Sequence, residues 1–204
     1  MDITPCGILR EKTEIYNESM NEYQSFENFN NDPRFYVDEF NTNRILTNAH
    51  GVGYSVVFVP VGSILRELEG KITSLYDTHV YPYLLGTDDG RQKYSYYCNT
   101  YPSSFRNETN YLKLLEDMKA QEYDIKKGAI VIEEHNFILD GQHRACITLY
   151  KYGPFYKVQV VKCFFGTHYG KKRRIKYEYY KFLAGMRCIG EYVKYRMRNK
   201  RILL

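Results

Sequence analysis

Hydrophobic positions fall in short runs divided by polar stretches, and the spacing within each run sets the element it predicts. Residues 1–48 are polar and rich in Asn and Glu, with aromatics at no regular interval, so short helices wrapped around a core are expected. GYSVVFVPV (Gly53–Val61) is β-branched and aromatic throughout, the pattern of a buried first strand. In SILRELEGKITSLY, Ile64, Leu65, Leu68, Ile72 and Leu75 keep a helical spacing interrupted by Gly70. The stretch from Tyr81 to Phe105 is tyrosine-rich, and Asp89-Gly90 marks a turn, so a long surface loop is expected.

NETNYLKLLEDMKAQEY predicts a helix capped by Asn107 or Thr109, with Leu112, Leu114, Leu115 and Met118 on its apolar face. Ile130–Ile132 and Phe137–Leu139 then flank a four-residue turn, a hairpin pattern. From Gln142 to Tyr152 the spacing of Ala145, Thr148, Leu149 and Tyr152 predicts a helix, and Gly153-Pro154 ends it. KVQVVKCFF (Lys157–Phe165) reads as a further strand. From Ile175 onward, Ile175, Tyr179, Phe182, Met186, Ile189, Val193 and Met197 recur at steps of three or four and mark one stripe of a long amphipathic helix.

The order strand, helix, hairpin, helix, strand, terminal helix predicts an α+β (α/β) fold: a small mixed sheet with packed helices and a long basic C-terminal helix. Three parts are expected: an N-terminal extension over 1–50 wrapping the core, a main domain over 51–168, and the terminal helix over 169–204.

Charge changes this picture at one end. The net charge is +5, yet from Lys171 to Leu204 twelve Lys and Arg face only Glu178 and Glu191, a local +10 that leaves the rest at −5. A basic tail on an acidic body points to an anionic partner: nucleic acid, a phospholipid surface, or the body itself. Five scattered cysteines without a C-x-x-C pair fit neither a disulfide framework nor a zinc knuckle. With no leader-like apolar segment and no run of the ~20 apolar residues a span needs, a cytoplasmic protein is expected.

The candidate chemistry sits in ILDGQHRACITLYKYG (Ile138–Gly153). A helix that starts directly after a strand presents unpaired N–H groups and the positive end of its dipole, a ready place for phosphate. Gly141 lets an anion approach the backbone. Arg144 offers a fork of donors, His143 can donate or move a proton, and Asp140 can hold a metal or act as a base. Each residue also has an ordinary reading: Asp140 as N-cap, Asp-Gly as turn, His143 as packed ring, Arg144 as surface ion-pair member. Five consecutive residues with complementary phosphate chemistry favour the site.

With its preceding hairpin GAIVIEEHNF and following strand KVQVVKCFF, this stretch resembles the signature of the ParB/sulfiredoxin fold, over about Asn107 to Phe165. In that fold a Gly-x-[His/Arg]-Arg junction holds nucleotide phosphates, so the resemblance implies cofactor binding by Gly141, Gln142, His143 and Arg144. Sulfiredoxins place a catalytic Cys where this chain has Gln142, which disfavours sulfinic-acid repair. ParB partition proteins carry Gly-Glu-Arg-Arg and follow the domain with further modules for which 39 residues leave no room. The small-molecule kinases of the fold carry Asp-Gly-His-His-Arg, and this chain differs only at Gln142.

That branch implies ATP (or ADP or CTP) with Mg²⁺, and a hydroxyl acceptor. Asp140 and His143 would be catalytic, and Asp140 would also hold the metal. The kinases use a glutamate near the exit of their first strand, for which Glu67 and Glu69 are nearest, with Asp88 and Asp89 as rivals. The leading expectation is therefore a phosphotransferase acting on a small hydroxyl compound. A sugar or glycan precursor is suggested by the tyrosines, which could stack on saccharide rings. The alternatives are a nucleotide-sensing scaffold without turnover and a ParB-like nucleic-acid-binding protein or nuclease. The tail could lie on an anionic membrane at the inner face, bind nucleic acid, or clamp onto its own domain.

Overall fold

The structure, a computed structural model, describes residues 24–47, 53–68, 71–100, 107–165 and 171–200. The side chains of Leu68, of 171–176 and of 195, 196 and 198–200 lie outside that description, as do Glu69, Gly70 and residues 101–106. Strand β1 (Gly53–Pro60) pairs antiparallel with β6 (Lys157–Phe164) along its full length, from Gly53 opposite Phe164 to Pro60 opposite Lys157. β6 runs parallel to β4 (Val131–Glu133), which pairs antiparallel with β5 (Ile138–Asp140). The result is a mixed four-stranded sheet in the order β1-β6-β4-β5. β6 places apolar residues on both faces, between the partly buried Lys157, Gln159 and Lys162. Val158 and Val160 meet one core, Val161 and Cys163 the other.

The first core lies under the helices α2 (Val80–Leu84), α3 (Asp88–Thr100), α4 (Glu108–Ala120) and α5 (Gln142–Tyr152). The second is closed by the N-terminal segment, a 3-10 turn at Phe26–Asn31 and α1 (Glu39–Thr47). There Tyr54 meets Phe29 edge-on at 5.0 Å, and its hydroxyl donates to Asp32 at 2.8 Å. Arg34 grips the same carboxylate with Nε at 2.9 Å and Nη2 at 2.6 Å, holding Asp32 below the ordinary carboxylate range. Cys146, Cys163 and Cys188 are buried, and burial pushes the first two thiols up to about 12, so they serve as packing groups.

Two expected elements are different. The segment read as a helix from Ile64 is a hairpin, β2 (Leu65–Leu68) with β3 (Lys71–Ser74). A helix would have carried Gly70 in its interior at a cost of about 1 kcal/mol. As a strand, Leu65 instead donates its N–H to Asn136 O at 2.9 Å and bridges to Phe137 beside β5. The tyrosine-rich stretch expected to be a loop is α2 and α3, as far as residue 100. Gly90, Tyr94 and Tyr97, at steps of four and three, are its buried face. Asp89-Gly90 lies inside the first helical turn. A Cβ on Gly90 would stand 2.2 Å from Pro82 O, so the two helices touch backbone to backbone.

Smaller shifts concern helix faces. Asn107 does cap α4, accepting from Asn110 N at 2.8 Å. Its packed face is Tyr111, Leu114, Leu115 and Met118, while Leu112 is exposed. The terminal helix α6 (Lys171–Lys200) forms, but it packs through Tyr177, Ala184 and Cys188. The stripe from Tyr179 to Met197 faces solvent, and Ile175 at its start lies outside the described side chains.

Candidate functional site

A cleft of about 490 Å³ opens where β5 passes into α5. Its floor is the strand end and first helical turn, Ile138 to Arg144, and α1, β2, α3 and α4 supply its walls. Gly141 turns the chain there in the left-handed region, φ 80°, and serves as the helix N-cap without any side-chain capping bond. A Cβ at this position would lie 2.7 Å from Ala129 O and 2.8 Å from Ile130 Cα, so no larger residue fits without moving backbone. The N-cap role open to Asp140 in the sequence thus falls to Gly141, which has no side chain with which to cap the eleven-residue helix α5.

Four cationic side chains converge on the cleft: Arg44, Arg66, Lys113 and Arg144. Arg144 lies against the backbone at Gly128, where a Cβ would stand 2.4 Å from its Cζ. Arg44 donates to the carbonyl of Leu139, tying α1 to β5. Three carboxylates, Asp38, Asp117 and Asp140, share the lining. Burial pushes the Asp140 carboxyl above the ordinary range, and the charge of Asp38 adds to it. The Gly141 N–H, Arg144 and Arg44 pull the other way. Asp38 accepts from Asn41 N at 3.0 Å and Asn41 Nδ2 at 2.6 Å, which fixes its orientation.

His143 is held by tyrosines. Tyr94 OH lies 3.1 Å from its Nε2, and the Tyr111 ring sits 4.9 Å from the imidazole. Gln142, only 6 % exposed, carries a buried Oε1 with no hydrogen-bond partner, and the buried Tyr111 hydroxyl likewise has none. Both residues line the cleft. An orphaned buried polar atom costs on the order of 1–3 kcal/mol, which a ligand reaching these atoms would recover.

The structure therefore brings together Asp140, Gly141, Gln142, His143 and Arg144. It does not bring Glu67 with them. Glu67 is exposed on β2 and does not line the cleft, whereas its neighbour Arg66 does, as strand alternation requires. Asp88 and Asp89 are exposed on the first turn of α3, paired with Arg91 at 3.3 Å and Lys93 at 2.6 Å. Glu69 lies outside the described residues. Tyr94, Tyr97 and Tyr111 are buried and pack on one another and on His143, so these rings are unavailable for stacking on a saccharide.

Sequence reasoning missed Asp38, Asn41 and Arg44, which reach the cleft from the N-terminal segment, and the polar face of α4. A signal existed for the second: Asn110, Lys113 and Asp117 recur at steps of three and four. Among the described residues no group of three or more His, Cys, Asp or Glu forms a metal cage. Two carboxylates at one cleft, Asp38 and Asp140, nevertheless suit Mg²⁺, which takes one or two carboxylates and completes its shell with substrate phosphates and water. Comparison with known proteins offers no guide: no family model matches the chain, and no curated protein or solved structure shows significant similarity to it.

Proposed function

We propose that the cleft binds a nucleotide with Mg²⁺ and transfers a phosphoryl group from ATP or ADP to the hydroxyl of a small molecule. The observation that carries the reading is the α5 start without a capping side chain, facing a cleft lined by Arg44, Arg66, Lys113 and Arg144 beside the carboxylates of Asp38 and Asp140. A polyphosphate and its metal satisfy both halves of that arrangement. A simple anion would leave the carboxylates opposed, and a bare cation would leave the arginines opposed.

The phosphates sit on the N–H groups after Gly141, with Arg144 as the forked donor and His143 beside it, oriented by Tyr94. Asp38 and Asp140 would hold Mg²⁺, which supplies charge neutralisation on the phosphate oxygens when bound. The acceptor hydroxyl oxygen bonds to the terminal phosphorus as the bond to the bridging oxygen breaks, and the shortened nucleotide leaves. The hydroxyl proton passes to the carboxylate oxygen of Asp140 that does not hold the metal. Such transfers rest on positioning and charge rather than covalent chemistry, so this set of residues suffices. Glu67 has no part in it. The scattered cysteines support a reducing compartment, the cytoplasm.

Calorimetry of the full chain with ATP, ADP and CTP in Mg²⁺ tests the reading, followed by phosphate transfer to a panel of hydroxyl metabolites. The expected result is saturable binding that Asp140→Asn and Arg144→Ala each weaken. A chain that binds none of the three nucleotides overturns it. One that binds without ever transferring phosphate is a nucleotide-responsive binding protein.

A further inference from the structure

A surface helix ordinarily turns its apolar stripe toward the core. α6 does the reverse. Its packed face is narrow and built of small or polar-tipped groups. Cys188 Sγ reaches Gly62 O at 3.0 Å, the Tyr177 ring stacks on His135, and Arg187 pairs with Asp77 at 3.5 Å. The opposite face carries Tyr179, Phe182, Met186, Ile189, Val193 and Met197, each between 49 and 64 % exposed. At the helical rise this stripe is about 27 Å long. It continues onto the body through an apolar groove of about 420 Å³, which Phe182, Met186 and Ile189 line on one side and Pro60, Pro154 and Phe155 on the other.

We propose that this face docks on an anionic lipid membrane surface, with α6 lying in the interface and its exposed stripe in the acyl boundary. Charge complementarity selects that occupant. α6 carries eleven Lys and Arg against Glu178 and Glu191. A second copy would set two such helices against each other along their length, and repulsion opposes the pairing. A nucleic acid needs donors for its phosphates, and of the exposed stripe Tyr179 alone carries one. An anionic bilayer answers both features at once, taking apolar side chains below its headgroups and cations beside them. α6 remains on the surface, since no helix among the described residues is long and apolar enough to cross a membrane.

The test is co-flotation of the full chain with phosphatidylcholine vesicles containing or lacking phosphatidylserine. Flotation is expected with the anionic vesicles and should weaken as salt is raised. The pair Phe182→Ser and Met186→Ser should lower the partition at least about tenfold. A second pair, Ile189→Ser with Val193→Ser, should do the same. All four side chains are exposed, so circular dichroism of the variants should match the parent. The proposal is overturned if the parent does not float, or if both pairs float as well as the parent. It is equally overturned if the chain binds duplex DNA or RNA but no vesicles, or if the substitutions merely dissociate a homodimer.

Discussion

The cleft at the start of α5 and the outer face of α6 depart from the same folding rule in opposite directions. In the cleft, Gln142 Oε1 and the Tyr111 hydroxyl are buried without partners, and burial makes the Asp140 carboxyl reluctant to ionise despite the Gly141 N–H and Arg144 beside it. On α6, apolar side chains from Tyr179 to Met197 stand in solvent. The first costs the isolated chain stability that a polar charged ligand would return, and the second leaves apolar area in water that an apolar surface would cover. The contrast separates two partners by chemistry, and substitutions in one region should leave the other's binding unchanged.

The largest effect is expected from Arg144→Ala. A forked guanidinium on phosphate contributes about 2–3 kcal/mol, so nucleotide affinity measured by calorimetry should fall roughly 100-fold. Vesicle flotation should not change. If flotation falls with it, the two regions are coupled and the separation is wrong.

Asp32→Asn comes next and supplies a satisfied carboxylate for reference. Asp32 accepts from Arg34 and Tyr54, and those bonds, led by Arg34, lower its pKa below 3.8. A group with a lowered folded pKa contributes stability that is complete above the unfolded value and lost as pH falls through the folded one. Denaturant unfolding at pH 7 should therefore show a loss of about 2 kcal/mol. The difference from the parent should close as the pH drops below 3.8.

Asp140→Asn should act with the opposite sign. Its folded pKa is raised above 3.8 by burial, so the folded state favours the protonated carboxyl. Stability is present at low pH and lost as pH rises through the folded value, leaving the charged group a net cost at neutral pH. Without nucleotide or Mg²⁺, the substitution should stabilise the chain by about 1 kcal/mol, raising Tm by about 2–4 °C. The gain should shrink as pH falls toward 3.8, while nucleotide binding weakens. A stability gain joined to a binding loss marks a residue kept for its ligand rather than for the fold.

Much of this was legible where the signal is local. Asp140-Gly141 before an apolar period, and Gly153-Pro154 after it, bound α5 to the residue. β1 and β6 were plain because both are rich in β-branched and aromatic residues over eight positions between turn signals. The hairpin β2-β3 was hidden because Leu65, Leu68 and Ile72 also fit a helical period. What decides for a strand is the bond from Leu65 to Asn136, a contact distant in sequence. α3 was hidden by tyrosine itself, which reads as half-exposed although Tyr94 and Tyr97 are buried. Asp38 and Arg44 join the site only because the N-terminal segment folds across β5, and no spacing near Gly141 encodes that. α6 shows the limit of periodicity: a stripe can be read from sequence, but not the surface it faces.

The smallest effect is expected from Gln142→Met, which tests whether the orphaned amide belongs to the fold or to the ligand. Gln142 is almost wholly buried at the first position of α5, and its Oε1 meets no donor. Methionine nearly matches its length and removes the unsatisfied acceptor, so stability should rise by about 0.5–1 kcal/mol in urea unfolding of the ligand-free chain. If the oxygen waits for a donor on the nucleotide, the same variant should bind more weakly by about tenfold, with slower transfer and unchanged flotation. A variant that gains stability and keeps full affinity would make Gln142 an unrelieved packing defect, and the cleft's claim to a built polar site would rest on Tyr111 and Asp140. A variant that loses stability would mean that the amide nitrogen holds the helix start together. The sequence position that separates this chain from a cysteine-bearing junction would then be structural rather than chemical.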